Sequence, residues 1–162
     1  MASSSFYKFN QFVEDLGNAL HNFDTDSIKC LLTNTLPVAG DTHVDTTTTP
    51  CEVHATSGAI EVAAASGYTK GGNAVATPIW EQAAGTAKFY GVKVTWTAGA
   101  SIGPFRYAVF YNDSKGTTAT RPVIGWFDYG SSVTLGIGET FTVGNSNDCT
   151  DWTATYPILT VA

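Results

Sequence analysis

The stretch PFRYAVFYND, residues 104–113, carries apolar or aromatic groups on both faces that a β-strand would present. Successive strand residues point to opposite sides. Phe105, Tyr107, Val109 and Tyr111 fall on one side, and Arg106, Ala108, Phe110 and Asn112 on the other. A half-buried strand alternates cleanly between apolar and polar residues. This one instead predicts a central strand covered on both sides. One layer receives Phe105, Tyr107, Val109 and Tyr111. A second, formed by the N-terminal helix or by a neighbouring subunit, covers Ala108 and Phe110.

Working outward, short apolar runs recur every 8 to 12 residues, separated by turn signals. SIKCLLTNT (27–35), AVATPIW (74–80), AKFYGVKVTWTA (87–98), VIGWFDY (123–129) and TYPILTVA (155–162) read as strands. AKFYGVKVTWTA is the clearest, with Tyr90, Val92, Val94 and Trp96 on one face. SSVTLGIGETFTV closes as two strands of a hairpin around Gly136, Gly138 and Glu139. GYTKGGN (67–73) is a turn, because glycine and asparagine accept positive φ. Residues 36–54, with THVDTTTTP and Pro50, predict a loop or arm, and residues 55–66 fit a short helix or a strand equally well. Phe9, Phe12, Val13, Leu16 and Leu20 recur at helical spacing, which predicts a short N-terminal amphipathic helix preceded by extended Phe6 and Tyr7. The expected architecture is mainly β, a β-sandwich or jelly-roll-like barrel of about eight strands with a short N-terminal helix. Residues 1–23 form an N-terminal aromatic and helical segment, and residues 24–162 a single β-sandwich domain.

The 162 residues suffice for one domain with a substantial core. Charged residues are only 14% of the chain, and the net charge is −6. Phosphate recognition needs Lys and Arg. The absence of a basic run predicts no nucleic-acid partner. MASSSFYKFNQF lacks a positively charged start followed by an apolar stretch, so no secretory leader is expected. No apolar run reaches the ~20 residues that would cross a bilayer as a helix. Sparse charge suits a protein packed against others, since charged groups are depleted at interface cores.

The side chains that could carry chemistry are few. No nucleophile elbow, phosphate loop or dinucleotide fingerprint occurs. Cys51-Glu-Val-His54 has the gap of a metal-ligand pair but lacks a second pair, and a loop histidine beside a buried thiol is the simpler reading, even with His43 and Cys30 added. Asp41, His43 and Asp45 alternate as on one strand face, which also describes a solvated edge. Asp24 and Asp26 read as a turn before a cation site. Asp128 and Glu139 are two acids of which nothing fixes the separation a glycosidase would need. Neither a metal nor another cofactor is expected, and the chain reads as non-enzymatic. Cys30, Cys51 and Cys149 are odd in number. In a protein made in the cytoplasm they read as reduced thiols, with Cys51 and Cys149 the pair considered for a disulfide. Trp80, Trp96, Trp126 and Trp152 read first as core, then as subunit contacts or a sugar-binding surface.

Several segments in order, SSSFYKFNQFVEDLGNALHNF, IKCLLTNTLPVAGDT, ASGYTKGGN, SIGPFRYAVFYND and PVIGWFDYGSSVTLGIGETFTV, resemble a family of small virion structural proteins of tailed bacteriophages. The resemblance implies a head decoration or cement protein: a homotrimer made in the host bacterial cytoplasm, seated on the virion's outer capsid surface and bound to the major capsid protein. The alternative is a tail or fibre module that recognises host surface glycans. The THVDTTTTPCEVH segment and the TYPILTVA tail depart from the pattern, so no role passes to their residues. Phe6, Tyr7, Phe9 and Phe12 hold more apolar surface than a short helix needs. They are the expected subunit or capsid interface, unless they simply cap one end of the sandwich.

Overall fold

The computed structural model describes residues 5–54, 56–145 and 150–161. Along the chain run β1 (Phe6–Lys8), α1 (Asn10–Gly17), β2 (Ile28–Thr33), β3 (His43–Asp45), β4 (Glu52–His54), β5 (Ala59–Ile60), β6 (Asn73–Ala74), β7 (Ile79–Ala83), β8 (Thr86–Tyr90), β9 (Val94–Thr97), β10 (Ile102–Asn112), β11 (Arg121–Leu135), β12 (Thr140–Val143) and β13 (Leu159–Val161). The chain is mainly β and sandwich-like, with one short helix. Eight strands form the main sheet, in the order β5-β4-β3-β11-β10-β2-β6, with β1 also paired to β11. Two smaller sheets, β12-β9 and β13-β8-β7, complete the fold. All these pairings are antiparallel.

The stretch 104–113 lies at the centre, as its two apolar rows require. β10 pairs with β11 on one side and β2 on the other, so that Val109 sits between Trp126 and Leu31. Residues from Tyr107 to Asn112 are all buried. The second cover comes from the chain itself. Phe110 meets Phe6 and Phe127 edge-on, with ring centres 5.9 and 5.8 Å away, and Trp152 at 6.0 Å. Phe6 belongs to a strand rather than to the helix. At the other end of β10, Phe105 packs on Phe141 of β12 at 4.7 Å. One hydrophobic core runs through these contacts and includes Phe9 and Phe12 of the N-terminal segment.

Gly125 makes the N-terminal attachment feasible. It is the cross-strand partner of both Lys8 and Phe110. A β-carbon there would stand 2.4 Å from the Tyr7 carbonyl oxygen and 2.5 Å from the Phe6 ring. The missing side chain is therefore the space into which β1 closes. α1 is too short to persist alone. Phe12 and Asp15 face inward and Val13 outward.

Four readings of the sequence change. The clearest predicted strand, 87–98, is two strands in different sheets, because Gly91 breaks it. The Gly91 backbone packs so closely on Val75 and Ala76 that an added β-carbon would lie 2.7 Å from the Val75 side chain. The closing hairpin is not one: β12 leaves β11 after the Gly136–Glu139 turn and pairs with β9, Phe141 opposite Trp96. The 36–54 loop contains the β3–β4 hairpin, with Val44 and Val53 fully buried. The stretch 74–80 divides between β6 and β7, with Pro78 just before β7. Thirteen strands occur among the described residues, eight of them in the main sheet and several only two or three residues long.

Candidate interaction surface

The residues expected at an interface separate by burial. Phe9 and Phe12 have no exposed surface. Phe9 packs on Trp126 at 4.7 Å, and Phe12 on His21 and Phe23 at 5.4 and 6.1 Å. Both pack into the chain's own core and present no surface to a partner in this fold. Phe6 is half-buried, and Tyr7 is 48% exposed and stacks on Trp126 at 5.4 Å with the rings inclined by 21°. Tyr7 and Phe6 are the two of the four that retain outward surface.

Phe6 and Lys8 share one face of β1, and that face forms one wall of a groove. Pro157, Ile158, Leu159 and Thr160 complete the lining of a space of about 250 Å³. Ile158 and Leu159 are buried at its floor, Pro157 is half-buried, and Lys8 and Thr160 are exposed at its rim. Other large apolar side chains reach solvent singly: Val13, Leu36, Ile60, Ile79, Tyr129, Tyr156 and, most of all, Ile137, at 79% exposure.

The polar candidates are occupied within the fold. Asp41, fully buried, accepts the Val38, Thr56 and Ser57 backbone N–H groups at 2.9, 2.9 and 2.6 Å and the Ser57 hydroxyl at 2.6 Å. It tethers two loops and does not share a surface with His43 and Asp45. Asp24 accepts the Trp80 backbone N–H at 2.8 Å. Asp26 accepts Asn22 N–H and Asn112 Nδ2, both at 2.8 Å. These bonds and the nearby Lys115 hold its carboxyl below the usual range despite burial, which acts the other way. Asp128 receives the Arg106 guanidinium through Nε at 2.7 Å and a second nitrogen at 2.9 Å. Glu139 accepts Gly136 N–H across its turn at 2.6 Å. Each of these two acids thus has a separate partner.

Cys51 is a buried thiol, pushed up to about 12 by burial first and by the neighbouring Glu61 charge second. Burial alone raises Cys30 well above the usual thiol range. Cys149 lies outside the described residues, and with it one end of the disulfide considered from the sequence. His54 stacks its ring on His43, its cross-strand partner, at 5.2 Å, and lies 3.3 Å from Glu52. No group of three or more His, Cys, Asp or Glu suited to a metal ion occurs among the described residues. Trp96, Trp126 and Trp152 are buried, as a core reading requires, while Trp80 is half-buried and stacks on Phe23.

Two features had gone unread in the sequence. Glu61, 2% exposed, collects the Tyr68 hydroxyl, Gly71 N–H and Cys51 N–H at 2.7, 2.7 and 3.1 Å. Its position in the undecided 55–66 stretch concealed it. The groove was equally hidden, because it is formed by residues from distant parts of the chain. No helix among the described residues is long and apolar enough to cross a membrane. No known protein family, curated protein or solved structure matches the chain.

Proposed function

We propose that this chain is a non-enzymatic structural protein of a bacteriophage virion that binds the outside of the capsid and stabilises it as a decoration protein. One observation carries the reading. Asp26, Asp41, Glu61 and Asp128 are consumed by internal hydrogen bonds, whereas Tyr7, Val13, Leu36 and Ile137 are left facing solvent. A rigid, low-charge β scaffold with its polar groups satisfied and apolar side chains outward suits adhesion better than bond-making. The resemblance of its ordered segments to small phage virion proteins supplies the setting. The partner is the major capsid protein, and the chain acts as a homotrimer. The thermodynamics are those of linkage: a ligand that binds only the assembled shell shifts it away from dissociation. A specific contact of this kind buries upwards of ~1,000 Å² in total.

The alternative, a tail or fibre module gripping host glycans through exposed aromatics, loses three of the four tryptophans. With Trp96, Trp126 and Trp152 buried, such a platform would rest on Tyr7, Trp80, Tyr129 and Tyr156. Cryo-EM of the virion with quantitation of the chain tests the proposal. Density on the head exterior in a copy number set by the capsid lattice is expected. Density confined to the tail, or no incorporation, overturns it.

A further inference from the structure

His43 and His54 lie directly opposite each other on β3 and β4. Their rings are nearly parallel, inclined by 9° with centres 5.2 Å apart. Both residues are half-buried, and the valines beside them, Val44 and Val53, are fully buried beneath the hairpin. The Thr42 hydroxyl pairs with His43 Nδ1 at 2.9 Å, and Glu52 Oε2 lies 3.3 Å from His54 Nε2. The two imidazoles are therefore unequal. His54 has a carboxylate to receive its charge, and His43 has a neutral hydroxyl.

Like charges directly opposite each other across two strands are destabilising. At this spacing near a protein surface their repulsion separates two titrations by about one pH unit. The pair then takes its protons in two steps. The other charges nearby are committed elsewhere. Asp45, on the same strand as His43, accepts the Thr47 backbone N–H and hydroxyl at 2.7 and 2.6 Å within its own turn. Asp41 is held by Val38, Thr56 and Ser57. On the β11 side His43 faces Pro122, and the neighbouring Arg121 pairs with Asp113. On the β5 side Glu52 and Val53 face Ile60 and Ala59, which carry no charge. Burial first, and His54 second, lower the His43 pKa below 6.5, against Asp45, which raises it.

We propose that the His43–His54 stack is a proton-operated latch at the edge of the main sheet, closed with no proton or one and released by the second. The first proton goes to His54, between its Nε2 and Glu52. The second charges His43 against it, and the rings part. Both ends of the hairpin are tied, by Asp41 to Thr56 and Ser57 and by Thr46 N–H to Thr118 O at 2.7 Å. The loosening is thus confined to residues 43–45 and 52–54, where Val44 and Val53 open transiently to solvent while the centre of the sheet stays paired. Mild acid changes the charge and the mobility of this edge without unfolding the chain.

The imidazole nitrogens of the 15N-labelled full chain are followed by NMR from pH 8 to 4.5, with amide exchange read at each pH and corrected for its intrinsic pH dependence. His43 should titrate at least half a pH unit below His54. His54→Gln should raise the His43 midpoint by a similar amount, and Glu52→Gln should lower the His54 midpoint. In the wild type the amides of residues 43–45 and 52–54 should exchange at least fivefold faster at pH 5 than at pH 7.5, and His54→Gln should remove most of that difference. Val109, in the central strand, should change less. A His43 midpoint unmoved by His54→Gln, or hairpin amides no faster at pH 5, overturns the latch. An acceleration shared equally by Val109 assigns the effect to global unfolding and overturns it as well.

Discussion

Tyr68 donates its hydroxyl hydrogen to Glu61 at 2.7 Å while its oxygen accepts the Leu32 backbone N–H at 2.9 Å, all of them buried. The carboxylate thereby connects β2, the Gly71 turn and the entry to β4 through three donors. Tyr111 adds to the same knot by donating to Gly71 O at 2.8 Å. Burial, reinforced by the Glu61 charge, drives the Tyr68 hydroxyl well above the ordinary tyrosine range. It therefore stays a donor at every pH the fold survives.

Glu61→Ala leaves the Tyr68 hydroxyl and two backbone N–H groups without an acceptor. Each buried orphan costs about 1–3 kcal/mol. The expected loss is about 3 kcal/mol or more in urea unfolding. Tyr68→Phe removes one donor and strands Leu32 N–H, for a loss of about 1–3 kcal/mol. If the two losses add in the double variant, the residues do not act as one network.

Gly125→Ala forces a methyl group into the Tyr7 carbonyl and the Phe6 ring. Overpacking of this sort costs about 1–3 kcal/mol. Here the simplest relief is for β1 to leave the sheet, which would also uncover Phe110. Limited proteolysis should cut the variant between Phe6 and Asn10 far faster than the wild type, with the main β signal in circular dichroism retained. An unchanged cleavage rate would show that β1 is held in place by something other than this fit.

The two described thiols should be silent in the native state. Burial raises both, Cys51 to about 12, and thiolate is the reactive form. In a Cys149→Ser variant, an aromatic disulfide reagent at pH 8 should release no colour before denaturant is added and two equivalents after. Prompt native-state reaction of either thiol would contradict the packing around it.

His21 sets a pH dependence. Its ring is enclosed between Phe12 and Phe23, its Nδ1 lies 3.2 Å from Asn112 Nδ2, and its Nε2 lies 3.9 Å from Asp15. Burial lowers its pKa below 6.5, outweighing Asp15 and Asp26, which raise it, while Lys115 lowers it further. The folded pKa is therefore below the unfolded one, and the unfolded chain binds the extra proton between them. Stability is full above about 6.5 and falls as pH drops below it, levelling once the folded pKa is passed. His43, lowered by burial and by His54, adds in the same direction. Asp26 and Asp128, whose carboxyls are depressed, lose their contribution only below about 3.8, so the windows separate. Unfolding free energy measured from pH 7.5 to 5 should slope less steeply in His21→Phe than in the wild type. Parallel slopes would remove His21 from the account.

The centre of the fold was legible because burial on two sides leaves a trace in a single strand: both rows of residues 107–111 are apolar or aromatic. The ends were harder to read. The break at Gly91 depends on how closely Val75 and Ala76 approach, and no local pattern records that. β12 chooses β9 over its sequence neighbour because Phe141 fits between Phe105 and Trp96. His43–Asp45 and Glu52–His54 carry one buried valine each, too little to signal a strand through the surrounding threonines. Of the surface, Tyr7 and Phe6 were visible as surplus aromatics, but the sequence could not separate them from Phe9 and Phe12. That distinction arises from how much of each ring the rest of the chain covers, which only the assembled fold decides.

The Phe110 ring is touched by Phe6 from one end of the sequence and by Trp152 from near the other. A chain emerging from the ribosome cannot complete this part of its core until Trp152 has been made. Pairings so distant in sequence also slow the search for the native state. Nascent molecules must therefore carry an incompletely covered Phe110 from its emergence until Trp152 has followed it. Chaperone occupancy and the rate of translation, more than native stability, would then limit how much of this protein a cell can accumulate.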